Sequence, residues 1–465
     1  MALSNNRTHR IITLCGLYVA QGIPWGFMLI SLPAHLAEKF KVNDDDLGEL
    51  TAIILIPWTF KLIWAPIMDT FTIRSMGRRR TWIIGSELMM AATLLLFILV
   101  AGRDLSEQLT PLLWMFFIHN CFASLQDVCT DALAVDILPD SERGWMNGMM
   151  WGCKLVGKGL GALVLTRVLN AGGLEACVAV QVGLLLAIML IPILILERPG
   201  EKRMPWSLGE ARGELRHESR DIGATIRNWL RGFALRTMVI YAIFALTKII
   251  GGGINEIIIK TLCIQNLNPH WTDEQFSDVV GGWALAPILI GAFGGGYLAD
   301  RFGRRLILVV GYGGFGLGAM LFAANHGMWD ERWFTTTYLL SYEMFAAIGS
   351  VGFLSMAMRI SWTAAAGTVF TTFMTISNMS HVSGNWLAGP VRRLLKFGST
   401  TQAANIDSYV SCFWLIGLIT LLPLLLLFWV RAEEVDVAEE NRLQLLANNG
   451  PDEPGQGESV GELVR

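Results

Sequence analysis

Gly296-Tyr-Leu-Ala-Asp300-Arg-Phe-Gly-Arg-Arg305 closes one apolar segment and opens the next. An acid ends a helix, a glycine permits a tight reversal, and arginines follow in fixed register. An anchor at a membrane surface explains the arginines but not the spacing of acid and glycine. A looser copy lies upstream. Gly77-Arg-Arg-Arg80 precedes Gly303-Arg-Arg305 by 226 residues, Asp69 precedes Asp300 by 231, and Gly144 precedes Gly367 by 223. Matching punctuation at a near-constant offset predicts two similar halves, the parallel repeat of a membrane transporter.

Composition agrees. The chain of 465 residues is 53% hydrophobic and 16% charged, with a mean hydropathy of +0.47, which is a membrane protein's balance. The net charge of −3 gives no field for nucleic acid. Seven cysteines lie in apolar segments without CxxC or metal spacing, so neither a disulfide framework nor a metal site is expected. Apolar runs long enough to cross a ~30 Å core fall at 11–34, 47–69, 80–102, 110–137, 145–168, 174–196, 235–260, 277–299, 304–325, 333–358, 360–390 and 408–431. They predict an all-α protein of twelve transmembrane helices in two pseudo-symmetric six-helix bundles, at 1–196 and 235–432. Between these lies a polar linker, 197–234, in which Arg212, Arg216 and Arg220 share one helical face. The acidic tail, 433–465, is expected to be disordered. Lysine and arginine weight puts both termini in the cytoplasm, with Arg392, Arg393 and Lys396 as an outer dissent.

Cys121–Gly161 reads as two membrane helices, yet it holds Asp127, Asp131, Asp136, Lys154 and Lys158. Each lone charge at the bilayer centre costs about 2.5–3.5 kcal/mol on insertion scales. Asp127 and Asp131 share a helix face, and two neighbouring carboxylates titrate as a unit. They are therefore candidates for proton coupling, with static pairing to Lys154 as the rival. Glu343 and Lys248, each near the middle of a helix, suggest an ion pair or a paired switch in which Glu343 also couples protons. Asp136 is expected to pair with the arginine loop. Gln21 and Trp25 are spaced to offer an amide and an aromatic plane. Asn378, His381 and Asn385 form a polar stripe, for which interhelical hydrogen bonding is the default.

The ten-residue motif at 296–305 resembles the signature loop of the major facilitator superfamily. Gly22-Ile-Pro24, Phe60-Lys-Leu-Ile-Trp-Ala-Pro66, Gln126-Asp127-Val-Cys-Thr-Asp131, Leu138-Pro139-Asp-Ser-Glu142-Arg143-Gly144 and Ala388-Gly389-Pro390 together resemble its AmpG-type peptide/acetyl-coenzyme-A transporter branch. The segment Lys248–Glu256 lacks the acid that often follows the lysine closely there, and Lys154 stands where an arginine is usual. The resemblance implies a central cavity lined by helices 1, 4, 7 and 10. It makes Asp69, Arg78, Arg79, Asp136, Arg143, Asp300, Arg301 and Arg304 gating residues. Substrate-binding candidates are Gln21, Trp25, Lys154, Lys248, Asn378 and His381.

With no Walker loop, catalytic triad or metal spacing, neither an enzyme nor a cofactor is expected. The reading is a monomeric secondary transporter of a bacterial inner membrane. By alternating access it imports a bulky polar solute, such as an anhydromuropeptide, with a proton. Acyl-coenzyme A compounds and siderophores are alternative cargoes. A non-transporting receptor or scaffold is the alternative of another class.

Overall fold

A computed structural model describes residues 2–71, 76–99, 108–203, 206, 230, 233–361, 366–396 and 402–449. The described residues are almost wholly helical, and their one β-type pairing is an isolated bridge between Ala2 and Leu196. α1 is Arg7–Lys39. α2 runs through Asp44–Leu55, Ile56–Phe60 and Lys61–Thr70. α3 is Arg80–Leu99 and α4 is Leu109–Ile137. The helix Asp140–Leu194 breaks at Gly173, where φ is 70°, giving α5 before the break and α6 after it. α7 is Arg236–Asn266, α8 Asp273–Ala299, α9 Arg304–Ala324 and α10 Arg332–Ile360. α11 is Ala366–Leu395, and α12 is Gln402–Leu421 extended by Leu422–Trp429.

Among the described residues, nine helical stretches are long and apolar enough to cross a membrane. One of them is the fused α5–α6. The more polar α2 and α11 complete a set consistent with twelve crossings. Helices crossing a bilayer satisfy their backbone groups internally, so apolar side chains can face outward, and Phe293, Leu321 and Phe428 do so. The expected loop between the fifth and sixth helices reduces to the single turn at Gly173.

One further expectation changes. The tail does not begin without structure: α13, Ala432–Asn449, is helical. Val435 is buried against the second half, Glu434 Oε2 accepts from the Thr237 backbone N–H at 3.1 Å, and Asp436 pairs with Arg359. These contacts outweigh the acidic composition that suggested disorder. Residues 450–465 and the arginine stripe at 212–220 lie outside the described residues.

The halves meet at the face away from the termini. His35 Nδ1 lies 2.9 Å from Asp273 Oδ2, Arg167 Nη2 lies 2.7 Å from Asp278 Oδ1, and Arg393 Nη1 lies 3.1 Å from Asp45 Oδ2. Arg392 pairs with Asp44, which also accepts from Thr261. The outer basic group Arg392–Arg393 is therefore an inter-half clasp. π-helical turns in α1 (Phe27–Ser31), α7 (Leu262–Asn266) and α8 (Asp278–Trp283) cluster on this side. There Lys260 Nζ donates to the Leu29 carbonyl at 3.0 Å.

At the terminal face, the ion pairs among the described residues stay within one half. Arg10 Nη2 lies 2.8 Å from Glu142 Oε2, Arg79 Nε lies 3.0 Å from Asp136 Oδ2, and Arg359 pairs with Asp436.

The repeat is visible in the backbone: Gly77 and Gly303 both have φ of +92°. Their surroundings differ. Glu197 Oε2 accepts from the Arg79 N–H at 3.0 Å, and Glu201 Oε2 lies 3.5 Å from Arg80 Nη1. These two glutamates, which the sequence did not single out, hold the α2–α3 loop. A Cβ at Gly77 would lie 2.5 Å from Glu201 Oε1, whereas one at Gly303 would meet nothing within 4 Å. Gly303→Ala should cost only the left-handed backbone term, about 1–2 kcal/mol. Gly77→Ala should cost more, as a larger drop in melting temperature of the detergent-solubilised protein.

Burial and the neighbouring Glu197 charge push the Glu201 carboxyl up to about 7. A raised acid stabilises the fold in its protonated form, and that contribution is lost as pH rises from 4.5 through 7. Wild type and Glu201→Gln should therefore melt together near pH 5, with the variant the more stable near pH 8. Melting curves across that range would check this.

Candidate functional site

The floor of the cleft is built from three helices of the first half. α4 presents Asp127, α2 presents Lys61 and α5 presents Lys154. Lys154 Nζ donates to Asp127 Oδ1 at 3.1 Å, and Lys61 donates to Asp127 Oδ2. Asp127 and Lys154 are buried, and Lys61 is partly so. Two cations on one carboxylate leave a net positive charge, which aromatic rings surround. Lys154 Nζ lies 4.4 Å from the Trp58 ring centroid and 4.9 Å from that of Trp25. Lys61 Nζ lies 4.7 Å from Trp58. The two indoles stack at 5.9 Å with 22° between planes. Ring quadrupoles favour a desolvated cation by about 2 kcal/mol or more, so the box helps hold the excess charge.

α1 and α5 approach closely enough to set this geometry. A Cβ at Gly22 would lie 2.3 Å from the Lys154 carbonyl oxygen, so only glycine fits beside that turn. One turn further along α4 toward its C-terminal end, Asp131 is exposed and accepts from the Tyr18 hydroxyl. The two carboxylates expected to act together are thus unlike. Asp127 is buried between lysines, and Asp131 is open and held by a phenol. Gln21 turns into the wall, donating through Nε2 to Gln126 Oε1, and is buried.

In the second half, His381 Nε2 lies 2.9 Å from Glu256 Oε2 and Asn378 Nδ2 donates to the Trp58 carbonyl at 3.0 Å. The latter bond joins α11 to α2 across the floor. Asn385 is buried, with neither side-chain polar atom partnered. Lys248 does not meet Glu343. Its Nζ donates to the Tyr312 hydroxyl at 2.8 Å and lies 4.1 Å from the Phe353 centroid, within the aromatic core of the second half. Glu343 is half-buried in α10. The paired switch read from Glu343 and Lys248 is withdrawn: midpoints of two helices say nothing about which faces oppose.

Among the gating candidates, Arg79 pairs with Asp136 as expected. Arg78 is half-buried, and Arg301 is exposed with its guanidinium 5.5 Å from the Phe302 centroid. Arg304 is half-buried at the start of α9. The side chains of Asp69, Arg143 and Asp300 lie outside the described set. Lys61, Lys158, Tyr18 and Glu256 were not among the expected site residues. Their signal was present, since each is a polar or ionisable group inside an apolar run.

The profile of the Major Facilitator Superfamily matches residues 14–255, just over half of the chain. The chain belongs to that superfamily. It is 25% identical over 393 residues to the anhydromuropeptide permease of Escherichia coli K12, covering 80% of this chain and 72% of the permease. It is 31% identical over 142 residues to an uncharacterised protein of Schizosaccharomyces pombe, spanning about a quarter (26%) of that protein's length. Two solved structures share the fold at 12% identity. One is the nucleoside transporter NupG, with a TM-score of 0.65, covering 90% of this chain and 98% of that one. The other is a bacterial homologue of the human lysosomal transporter Spinster, inward-facing and unoccupied. Its TM-score is 0.64, covering 95% of this chain and 99% of that one. The protein is thus a multi-pass integral membrane protein of a transporter family. Its relatives and fold are those of secondary transporters of small molecules, and not of enzymes.

In a facilitator-type cleft, the buried Lys61–Asp127–Lys154 group makes a specific demand on stability. Removing one partner of a buried ion pair costs about 3–5 kcal/mol, because the other charge is left uncompensated. Asp127→Asn strands two lysines, whereas Asp131→Asn removes an exposed carboxylate. Asp127→Asn should lower the melting temperature far more than Asp131→Asn, by fluorescence-detected unfolding in detergent.

Proposed function

We propose that this facilitator imports anhydromuropeptide with a proton, across a bacterial inner membrane with both termini cytoplasmic, as a monomer. The observation that carries the reading is the contrast between the two carboxylates of α4. Asp127 is neutralised by Lys61 and Lys154 in a buried box, and Asp131 stands one turn away in the open cleft. A coupling carboxylate must exchange its proton with water from one side and be sequestered when the cleft closes. Asp131 meets the first condition here. Tyr18, bound to it from α1, ties its protonation to a helix of the inter-half interface. Glu343, half-buried in α10, is a second coupling candidate from the opposite wall.

The cargo follows from chemistry and similarity together. The floor offers stacked indoles suited to a sugar face, beside a net positive charge suited to carboxylates. The similarity to the anhydromuropeptide permease covers 80% of the chain, so it includes both walls of the cleft. The arginine loops at the terminal face, with Arg79 on Asp136, serve as latches for the opposite conformation.

The test is uptake of labelled anhydromuropeptide into proteoliposomes, with and without an inward proton gradient. Wild type should accumulate the label only with the gradient. Asp131→Asn should abolish accumulation while leaving exchange across equilibrated membranes. Gradient-driven accumulation by Asp131→Asn equal to wild type would remove Asp131 from coupling. No uptake by folded wild type would remove the muropeptide.

A further inference from the structure

At the terminal face of the second half, the ends of α8 and α10 and the starts of α9 and α13 enclose a cavity of about 410 Å³. Helix ends line it, so it lies where the headgroups of a bilayer meet its apolar core. Its ionisable lining is Arg304, Arg305, Arg359 and Glu433. Arg359 Nη1 donates to Asp436 Oδ1 at 2.6 Å, so that charge is matched. Arg305 spends Nη2 on the Val430 carbonyl, which carries no charge to answer it. Arg304 is half-buried and has no hydrogen-bond or ion-pair partner among the described residues. With Asp436 counted beside Glu433, the three arginines leave the cavity one net positive charge.

Both unmatched arginines stand in the first turn of α9, which holds no acidic residue. A helix start favours negative charge, so two cations there are misplaced unless an anion joins them. The wall beside them is apolar. Phe302 and Leu306 line the cavity and are also exposed large hydrophobics. Leu306 begins a stripe with Val310, Leu317 and Leu321, all exposed. Their spacings of four, seven and four residues put them on one face of α9. That face leads from the bilayer core directly to the arginines. A free anion would use the arginines and leave the stripe idle, whereas a molecule with a charged head and long apolar chains uses both.

We propose that this cavity holds the headgroup of an anionic phospholipid, with its phosphate between Arg304 and Arg305 and its acyl chains along the exposed face of α9. Guanidinium groups suit phosphate because their N–H donors match its oxygens in pairs. The site lies outside the cleft and does not depend on the cargo.

The test measures lipid binding to delipidated full-length protein in detergent, by native mass spectrometry. The probes are dioleoylphosphatidylglycerol, dioleoylphosphatidylcholine and inorganic phosphate. Wild type should bind phosphatidylglycerol at least about tenfold more tightly than phosphatidylcholine. Millimolar inorganic phosphate should not displace it. Arg304→Gln and Arg305→Gln should each weaken the preference, and the double variant should lose it. Arg304→Lys should keep most of it, as should Arg203→Gln, which removes an exposed arginine of the first half.

An unchanged preference in the double variant overturns the site. If that variant fails to fold, equal wild-type affinities for the two lipids overturn it. Equal losses in Arg203→Gln and Arg304→Gln would reduce the effect to general surface charge and overturn it as well. Displacement of phosphatidylglycerol by inorganic phosphate would make the cavity a site for the free anion and overturn the lipid.

Discussion

The bond from Lys154 to Asp127, with Lys61 on the other carboxylate oxygen, is the constraint around which the first half is arranged. Three charges from α2, α4 and α5 sit where lipid or protein would otherwise be apolar. A carboxylate alone there would be expensive to bury, and either lysine alone equally so. The surrounding features serve that group. Gly22 lets α1 press against α5 beside Lys154, and Trp25 and Trp58 cover the cations. Asn378 ties the Trp58 backbone to the second half. Because the group is so fully satisfied, it is a good fixed point for the packing of the first half.

Other charged groups in the membrane segments are less fully satisfied. Asp131 is open to the cleft, and Lys158 and Glu343 lack partners among the described residues. A transporter needs charges whose partners change between conformations, and groups already neutralised do not change. The same division holds at the ends of the cleft. The face away from the termini is clasped by inter-half pairs, Asp44 with Arg392 and His35 with Asp273. At the terminal face, Arg79–Asp136 and Arg10–Glu142 lie within one half.

Lys248 shows how packing settles the partner of a charged mid-helix residue. It lies mid-helix, but its ammonium is held by Tyr312 and Phe353 in the aromatic core of the second half. Glu256, two turns further along the same helix, is the partner of His381. Both follow from helix rotation: a shift of one residue turns a side chain by about 100°. The face a helix presents is set by its neighbours.

The sequence by itself determined the fold class, because apolar runs of bilayer length admit few alternatives to crossing helices. It determined the repeat, since the glycine at 77 and the glycine at 303 adopt the same φ of +92°. It also marked Asp127, Asp131, Lys154 and Glu343 as costly charges that required an explanation. Tertiary structure alone decided which charges pair. Lys61 reached Asp127, Lys248 turned away from Glu343, and Lys158 was left free of ion pairs among the described residues. The reason is physical. Hydropathy and periodicity act along one helix, whereas ion pairing depends on the rotation and depth of several helices packed together. It decided the tail as well, where contacts with Thr237 and Arg359 order an acidic segment as α13.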